Sequence, residues 1–438
     1  MKRSSTRRPI AVDGKPGAPF AHRLIRCGAA IAVLGAAWLV DPFAEASYDA
    51  PKRNAVLFGA VLAALASAWV ATKPDWRRWS RSARLVAMSL ALLVAWMTLA
   101  TLASPHAELA WPALRRALLF LLLIPVGASA AFDRRGGRAL FVAFVVAVGS
   151  NALISLLQSA GMELPLDVVQ IGGRFMTGAL LGNEGYVALA CALLGAAGVA
   201  IAITGTSRRT RWLGIASVAV AIATIAVNRQ ATSAIALLAA AFIVVAVRCN
   251  ARRIAALAFA ALALVALSAV VPPLRAVTWA QAPIGVEDYQ RLTTWRLGAW
   301  VSALDMAASR PWTGYGPGTF GAEQQVHRFA AELALHERFV QPLGASFVHA
   351  HEDYLQLAAE CGWPALLFAL AALSLTMAAL VRSHRTPVDV ERGVLLAILS
   401  TGLIASLAWF PMQIPLTVAT LLLATGRAWR LIAVEDRP

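Results

Sequence analysis

Apolar runs of about 16 to 25 residues recur along the whole chain, each the length a helix needs to cross the hydrocarbon core of a membrane. Lipid offers no hydrogen-bond partner to a backbone N–H or C=O, so such runs must satisfy themselves as helices. Twelve runs qualify: Leu24–Val40, Asn54–Thr72, Leu85–Ala103, Pro112–Phe132, Ala139–Ala160, Thr177–Thr204, Trp212–Val227, Ala231–Val247, Ile254–Val271, Leu355–Val381, Gly393–Phe410 and Ile414–Ile432. Charged residues make up 14% of the chain, against roughly 25% in a soluble domain. The expected fold class is therefore all-α, a polytopic membrane protein of about 12 transmembrane helices. Runs rich in Ala and Gly suit close helix packing, because small side chains let backbones approach.

The net charge of +16 raises the question of a nucleic-acid partner. Its distribution answers no. If the Lys/Arg-rich N-terminus is cytoplasmic and the runs alternate, 27 of the 39 basic residues fall on the cytoplasmic side. The positive-inside bias accounts for the charge and places both termini in the cytoplasm. Met1–Gly28 lacks the pattern of a cleavable signal, since its basic region is long and no small-residue cleavage site follows. The four cysteines lie in or beside the runs and outline no disulfide or metal framework.

The chain divides accordingly. Residues 1–23 read as a cytoplasmic basic tail, 24–271 as nine spans, 272–354 as one large outer loop, and 355–438 as three more spans with a cytoplasmic tail. The loop is too long for a simple connector. Within it, Gln290–Ser309 reads as an amphipathic helix with Leu292, Trp295, Trp300 and Leu304 near helical spacing. Arg310–Phe320 reads as a turn, because Pro311, Gly314, Gly316, Pro317 and Gly318 break regular structure. Ala322–Phe339 reads as a second helix carrying His327 and His336.

Ionisable groups on the outer side gather in four places: Arg174 ahead of a span, Arg229 between two spans, Arg291 and Arg296 in the loop helix, and His349, His351, Glu352 and Asp353 at the end of the loop. Each arginine can line a ligand path or snorkel to lipid headgroups. Arg229 suits snorkelling least, its loop being tight and otherwise uncharged. Arg115 and Arg116 are assigned to headgroups. Guanidinium forks bind phosphate oxygens bidentately, and a histidine can take a proton from a hydroxyl near neutrality. Together they suit transfer of a sugar from a lipid diphosphate. The other reading of the histidines is an interfacial polar cluster that holds the loop to the membrane. No Asp-x-Asp pair is present, which disfavours a metal-bound nucleotide sugar.

Several strings taken together carry more than each alone: Arg174-Phe-Met-Thr-Gly-Ala-Leu-Leu-Gly-Asn183, Asn228-Arg229, Arg291-x-x-x-Trp295, Arg310–Phe320, Ala350-His-Glu-Asp-Tyr-Leu-Gln356 and Glu360-Cys-Gly362. Over about Gly172 to Pro364 the chain resembles the O-antigen ligase/polymerase family, which includes lipopolysaccharide O-antigen ligases, O-antigen polymerases and protein O-oligosaccharyltransferases. The resemblance implies a GT-C-like fold in the bacterial inner membrane and a periplasmic active site. It implies metal-independent transfer without a cofactor, from undecaprenyl-diphosphate-linked glycan. The family's histidine falls on His351, as base, and its functional arginines on Arg174, Arg229 and Arg291, as diphosphate ligands. His349, Arg296, Glu352, Asp353 and Asn183 are secondary candidates. Glu352 stands where Asn is common, and Asn228 where Ser is. The best subtype is a ligase delivering to lipid A-core; a polymerase, a protein transferase and, from another class, a lipid or polysaccharide transporter are the alternatives. A transporter should place ionisable groups deep inside its spans, and Glu184 is the exception to their near absence there.

Overall fold

The computed structural model describes residues 17–43, 47–70, 79–163, 177–248, 290, 293, 295–336, 338–339, 347–383 and 390–435. Among these residues there is no strand. The helices are α1 (Ala18–Trp38), α2 (Ala50–Val70), α3 (Arg81–Leu102), α4 (Ala107–Leu121), α5 (Leu123–Gly127), α6 (Arg134–Ser159), α7 (Glu184–Thr204), α8 (Arg208–Val227), α9 (Ala231–Arg248), α10 (Leu297–Ser309), α11 (Phe320–Leu335), α12 (Asp353–Ser383), α13 (Val390–Ala405) and α14 (Pro415–Glu435).

Nine described helical stretches are long and apolar enough to cross a membrane, with α4 and α5 counting as one. Ala231–Val247 within α9 is apolar but shorter, and α13 has 16 residues. The expected span Ile254–Val271 lies outside the described residues. Several boundaries move for local reasons. The span expected at Pro112–Phe132 begins at Ala107 and breaks at Leu122. Pro125 supplies no N–H and its ring crowds the carbonyl of Leu121, so the helix cannot run through. The run Thr177–Thr204 holds a 3-10 turn at Ala179–Leu181 and is α-helical only from Glu184, where the Asn183 side chain caps the amides of Gly185 and Tyr186 at 2.8 and 3.3 Å.

The centre of the bundle is α7. It is apolar on every face and buried from Val187 to Gly198 without interruption, as a helix enclosed by other helices should be. It packs on α8, α9 and α13. At the closest crossings, small residues replace bulk. Gly28 of α1 and Gly59 of α2 face each other's carbonyls, and Gly127 and Gly426 bring α5 and α14 together. One end of the bundle collects the turns between α1 and α2, α3 and α4, α6 and α7, α8 and α9, and α13 and α14. The described residues between 295 and 352 dock on this end, here called the loop end.

A Cβ at Gly426 would collide with the Ile124 carbonyl oxygen, whereas one at Gly149 would meet nothing within 4 Å. Gly426→Ala should therefore cost about 1–3 kcal/mol by forcing α14 off α5. Gly149→Ala should be neutral or slightly stabilising. Thermal unfolding of the detergent-solubilised variants checks the contrast.

Candidate functional site

The site is built on a break in α12. Gly362 sits at φ 79°, ψ 167°, which ends the first helical part, and Pro364 follows with no N–H to give. Two carbonyls, of Ala359 and Glu360, are thereby left without a helical donor, since the Trp363 N–H turns away and Pro364 has none. The Gly-rich turn replaces both: Tyr315 N–H donates to Ala359 O at 3.1 Å and Gly316 N–H to Glu360 O at 2.7 Å. Trp363 N–H in return donates to Pro311 O at 2.9 Å. The Glu360 carboxylate then accepts from the amides of Gly318 at 2.8 Å and Phe320 at 3.3 Å. Helix α3 and the α3–α4 turn hold the other side of the turn, with Trp96 Nε1 donating to Trp312 O at 2.9 Å and Ser104 Oγ to Tyr315 O at 2.6 Å. Arg310–Phe320 is thus the expected turn, and it docks on the kinked helix α12.

Helix α10 differs from expectation. It starts at Leu297, seven residues later than the apolar spacing predicts, with Arg296 at its N-cap. Its buried face is Gly298, Ala299, Ser302, Ala303, Met306 and Ala307, while Leu304 is exposed. Small residues win because α10 lies close against α12. The second loop helix, α11, runs from Phe320 to Leu335. His327 on it bonds Asp305 of α10 at 2.7 Å through Nδ1, and His106 bonds Glu323 at 2.5 Å. These histidines anchor the loop, and His336 caps the C-terminus of α11.

The anchored loop delivers Phe347–Glu352 onto an aromatic pair from the α13–α14 connection. His351, at φ 56°, sets its ring edge-to-face on Phe410 with centroids 4.4 Å apart; Phe347 and Trp409 lie at 5.4 and 5.9 Å. His349 stacks on Phe410 at 5.7 Å. The guanidinium of Arg296, itself buried, lies 4.1 Å from the Trp409 ring centroid. Tyr186, in the first turn of α7, meets Phe410 at 6.1 Å.

Around this cluster the carboxylates are occupied. Asp353 accepts from Ser406 Oγ at 3.1 Å and Met412 N–H at 3.0 Å, fixing the aromatic connection to the head of α12. Glu352 caps the Leu355 amide. Gln356 links the two motif strings: its Oε1 accepts from Ala350 N–H at 3.1 Å, and its amide donates to Glu360 Oε1 at 3.1 Å and faces His349 Nδ1 at 3.3 Å. That last contact leaves His349 Nε2 as the protonated nitrogen. Burial, aided by the charges of Arg53 and Arg116, pulls His349 down to about 4, so it is neutral at physiological pH. Burial pushes Glu352 up to about 7, against the opposing pull of the Leu355 and Tyr354 amides.

The remaining candidates stand as follows. Arg229 is exposed, at φ 51°, at the loop-end tip between α8 and α9. The preceding Asn228 holds that tip: it accepts from Thr177 Oγ1 at 2.7 Å and donates to Ser155 Oγ at 2.9 Å. Arg174 and Arg291 lie outside the described residues. Asn183 is occupied as the cap of α7. The aromatic pair Trp409 and Phe410 escaped the sequence reading because it looks like the end of an apolar run, and Gln356 and Glu360 because a polar residue in a span-like run carries no pattern of its own.

The Gly362 break yields one prediction and Glu352 another. A Cβ at Gly362 would strike the Trp312 carbonyl in a left-handed conformation, so Gly362→Ala should destabilise by about 2–3 kcal/mol or more and loosen the turn, seen as faster proteolysis within Arg310–Phe320. Glu352 has a folded-state pKa above its unfolded value of 4.5, so its contribution is complete below that pH and is lost as pH rises through about 7. Wild type should therefore lose thermal stability relative to Glu352→Gln between pH 5 and pH 8, with no such divergence below pH 4.5.

A comparison with curated proteins finds no match. Residues 194–370, from α7 through the loop into α12, match the family model described as O-antigen ligase.

Proposed function

We propose that the chain transfers a glycan from undecaprenyl diphosphate to a hydroxyl of lipid A-core at the periplasmic face of the bacterial inner membrane. The observation that carries this reading is the convergence of the 347–352 loop, Arg296 and the Trp409–Phe410 pair at one end of a membrane-type bundle whose residues 194–370 match the O-antigen ligase family model. The twelve-span arrangement, with both termini cytoplasmic, fits the alternation of basic residues.

The two histidines divide the work. His349 is too weak a base, because burial and nearby guanidiniums oppose its protonation; its Nε2–H suits donation to a substrate oxygen. His351 takes the proton from the acceptor hydroxyl. The hydroxyl oxygen forms a bond to the anomeric carbon, the bond from that carbon to the diphosphate oxygen breaks, and the electron pair leaves with the diphosphate. Arg174, Arg229 and Arg291 hold the charge that develops there. Asp353, Gln356 and Glu360 position the histidine loop and touch no reacting atom.

In reconstituted protein supplied with lipid-linked glycan, His351→Ala should lower kcat by roughly 10²- to 10⁴-fold while the fold is retained. Near-normal turnover by a folded variant would remove His351 from the reaction. Offering lipid A-core, a second lipid-linked glycan or a peptide as acceptor separates ligase from polymerase from protein transferase: product should form on lipid A-core.

A further inference from the structure

Helix α11 is turned inside out. A surface helix of a water-bathed domain hides its apolar stripe and shows its charges. Here Ala322, Val326, Phe329, Ala330 and Leu333 recur at helical spacing on one face, and all of them are exposed. Val326, Phe329 and Leu333 are 67%, 57% and 77% exposed. The charged side chains of the same helix turn inward and are mostly buried. Glu323 bonds His106 and His327 bonds Asp305, while Arg328 lies 3.6 Å from Glu332, which accepts from the Phe339 amide at 3.0 Å.

What precedes α11 sets its depth. The span Ala107–Gly127 has 21 residues. At 1.5 Å per residue that matches the roughly 30 Å of a hydrocarbon core. Gly318 packs against this span, since a Cβ on it would lie 2.6 Å from the Ala113 Cβ. Ala113 is roughly 9 Å along the helix from the loop-side end at Ala107. On α3, Trp96 holds the Trp312 carbonyl and lies equally far from the end at Leu102. The turn is therefore sunk below the ends of α3 and α4, and α11 leaves it at Phe320. Trp111, Trp312 and Trp363 are exposed around the same turn, which is where aromatic belts stand at a membrane–water boundary.

A contiguous apolar face marks a contact surface, and the depth decides which. We infer that the outward face of α11 docks into the lipid leaflet at the loop end, as an interfacial helix whose charges are turned to the protein. Its stripe continues the surface that Trp111 and Trp312 present to lipid, and a second copy of the chain is the occupant that the test below separates from lipid. The contact has a consequence for the site. Through His327 and Asp305, α11 is tied to α10, whose N-cap Arg296 lies over Trp409, so the leaflet fixes the height of the loop above the aromatic cluster. The inference needs only a membrane and is independent of the transferase reading.

Photocrosslinking of the full-length protein in phospholipid nanodiscs tests it. The photoreactive residue p-benzoylphenylalanine replaces Val326, Phe329 or Leu333 in turn, with Leu92, exposed midway along α3, as the reference for lipid contact. Phospholipid adducts, read by mass spectrometry, should form at all three positions with yields comparable to that at Leu92. Crosslinks between two copies in place of lipid adducts, or no lipid adduct at any of the three, overturn the proposal. If the labelled variants do not fold, Leu333→Gln carries the test, since glutamine keeps the helix propensity and removes the apolar contact. Amide exchange across α11 in nanodiscs should then speed up by about 10-fold, as loss of one buried leucine implies. Exchange at the wild-type rate overturns the proposal.

Discussion

Two carbonyls freed at the Gly362 break organise the loop end. A spanning helix normally consumes its own hydrogen bonds, which leaves nothing with which to fasten an extramembrane segment. By interrupting α12, Gly362 and Pro364 expose the carbonyls of Ala359 and Glu360 as a docking edge, and the turn around Tyr315 supplies matching amides. The buried Glu360 carboxylate extends the same edge to Gly318 and Phe320. Each of these groups would cost about 1–3 kcal/mol if buried without a partner, so the turn and the kink stabilise one another and neither is expected without the other. Everything that positions the histidines, from Gln356 to the two loop helices, is attached to this joint.

The 347–352 segment meets the α13–α14 connection through aromatic faces. Phe410 has His351 at one edge and His349 stacked nearby, and the neighbouring Trp409 carries Arg296. Aromatic contacts with Phe410 fix the orientation of both imidazole rings. Asp353 is close in sequence to His351, yet its carboxylate is bound to Ser406 and the Met412 amide. It therefore acts on the histidine at one remove, by holding the connection that bears Phe410.

Hydropathy and charge made the helical membrane fold legible, because lipid leaves a long apolar run little choice. The Arg310–Phe320 turn was legible for the same kind of reason: three glycines and two prolines exclude a helix. The partner of the turn was not. Gly362 reads as one more small residue inside an apolar run, and nothing local says that its φ is positive. Trp409 and Phe410 are distant from His351 in sequence and sit where a span appears to end. The face of α10 was misjudged because Trp300 and Leu304 suggest a buried stripe, whereas the intimate contact with α12 demands Gly298, Ala299 and Ala303. Asn228 and Asn183 were legible as places of interest, and local backbone and cap geometry give them structural jobs that residue type alone did not distinguish from ligand binding.

The basic residues of the loop end gain meaning from what the others are doing. Arg328 lies 3.6 Å from Glu332, Arg310 lies over Tyr315, Arg296 over Trp409, and Lys52 is bonded to a carbonyl. These cations have local structural partners. Arg53 has a carboxylate partner too, Asp49 at 2.5 Å.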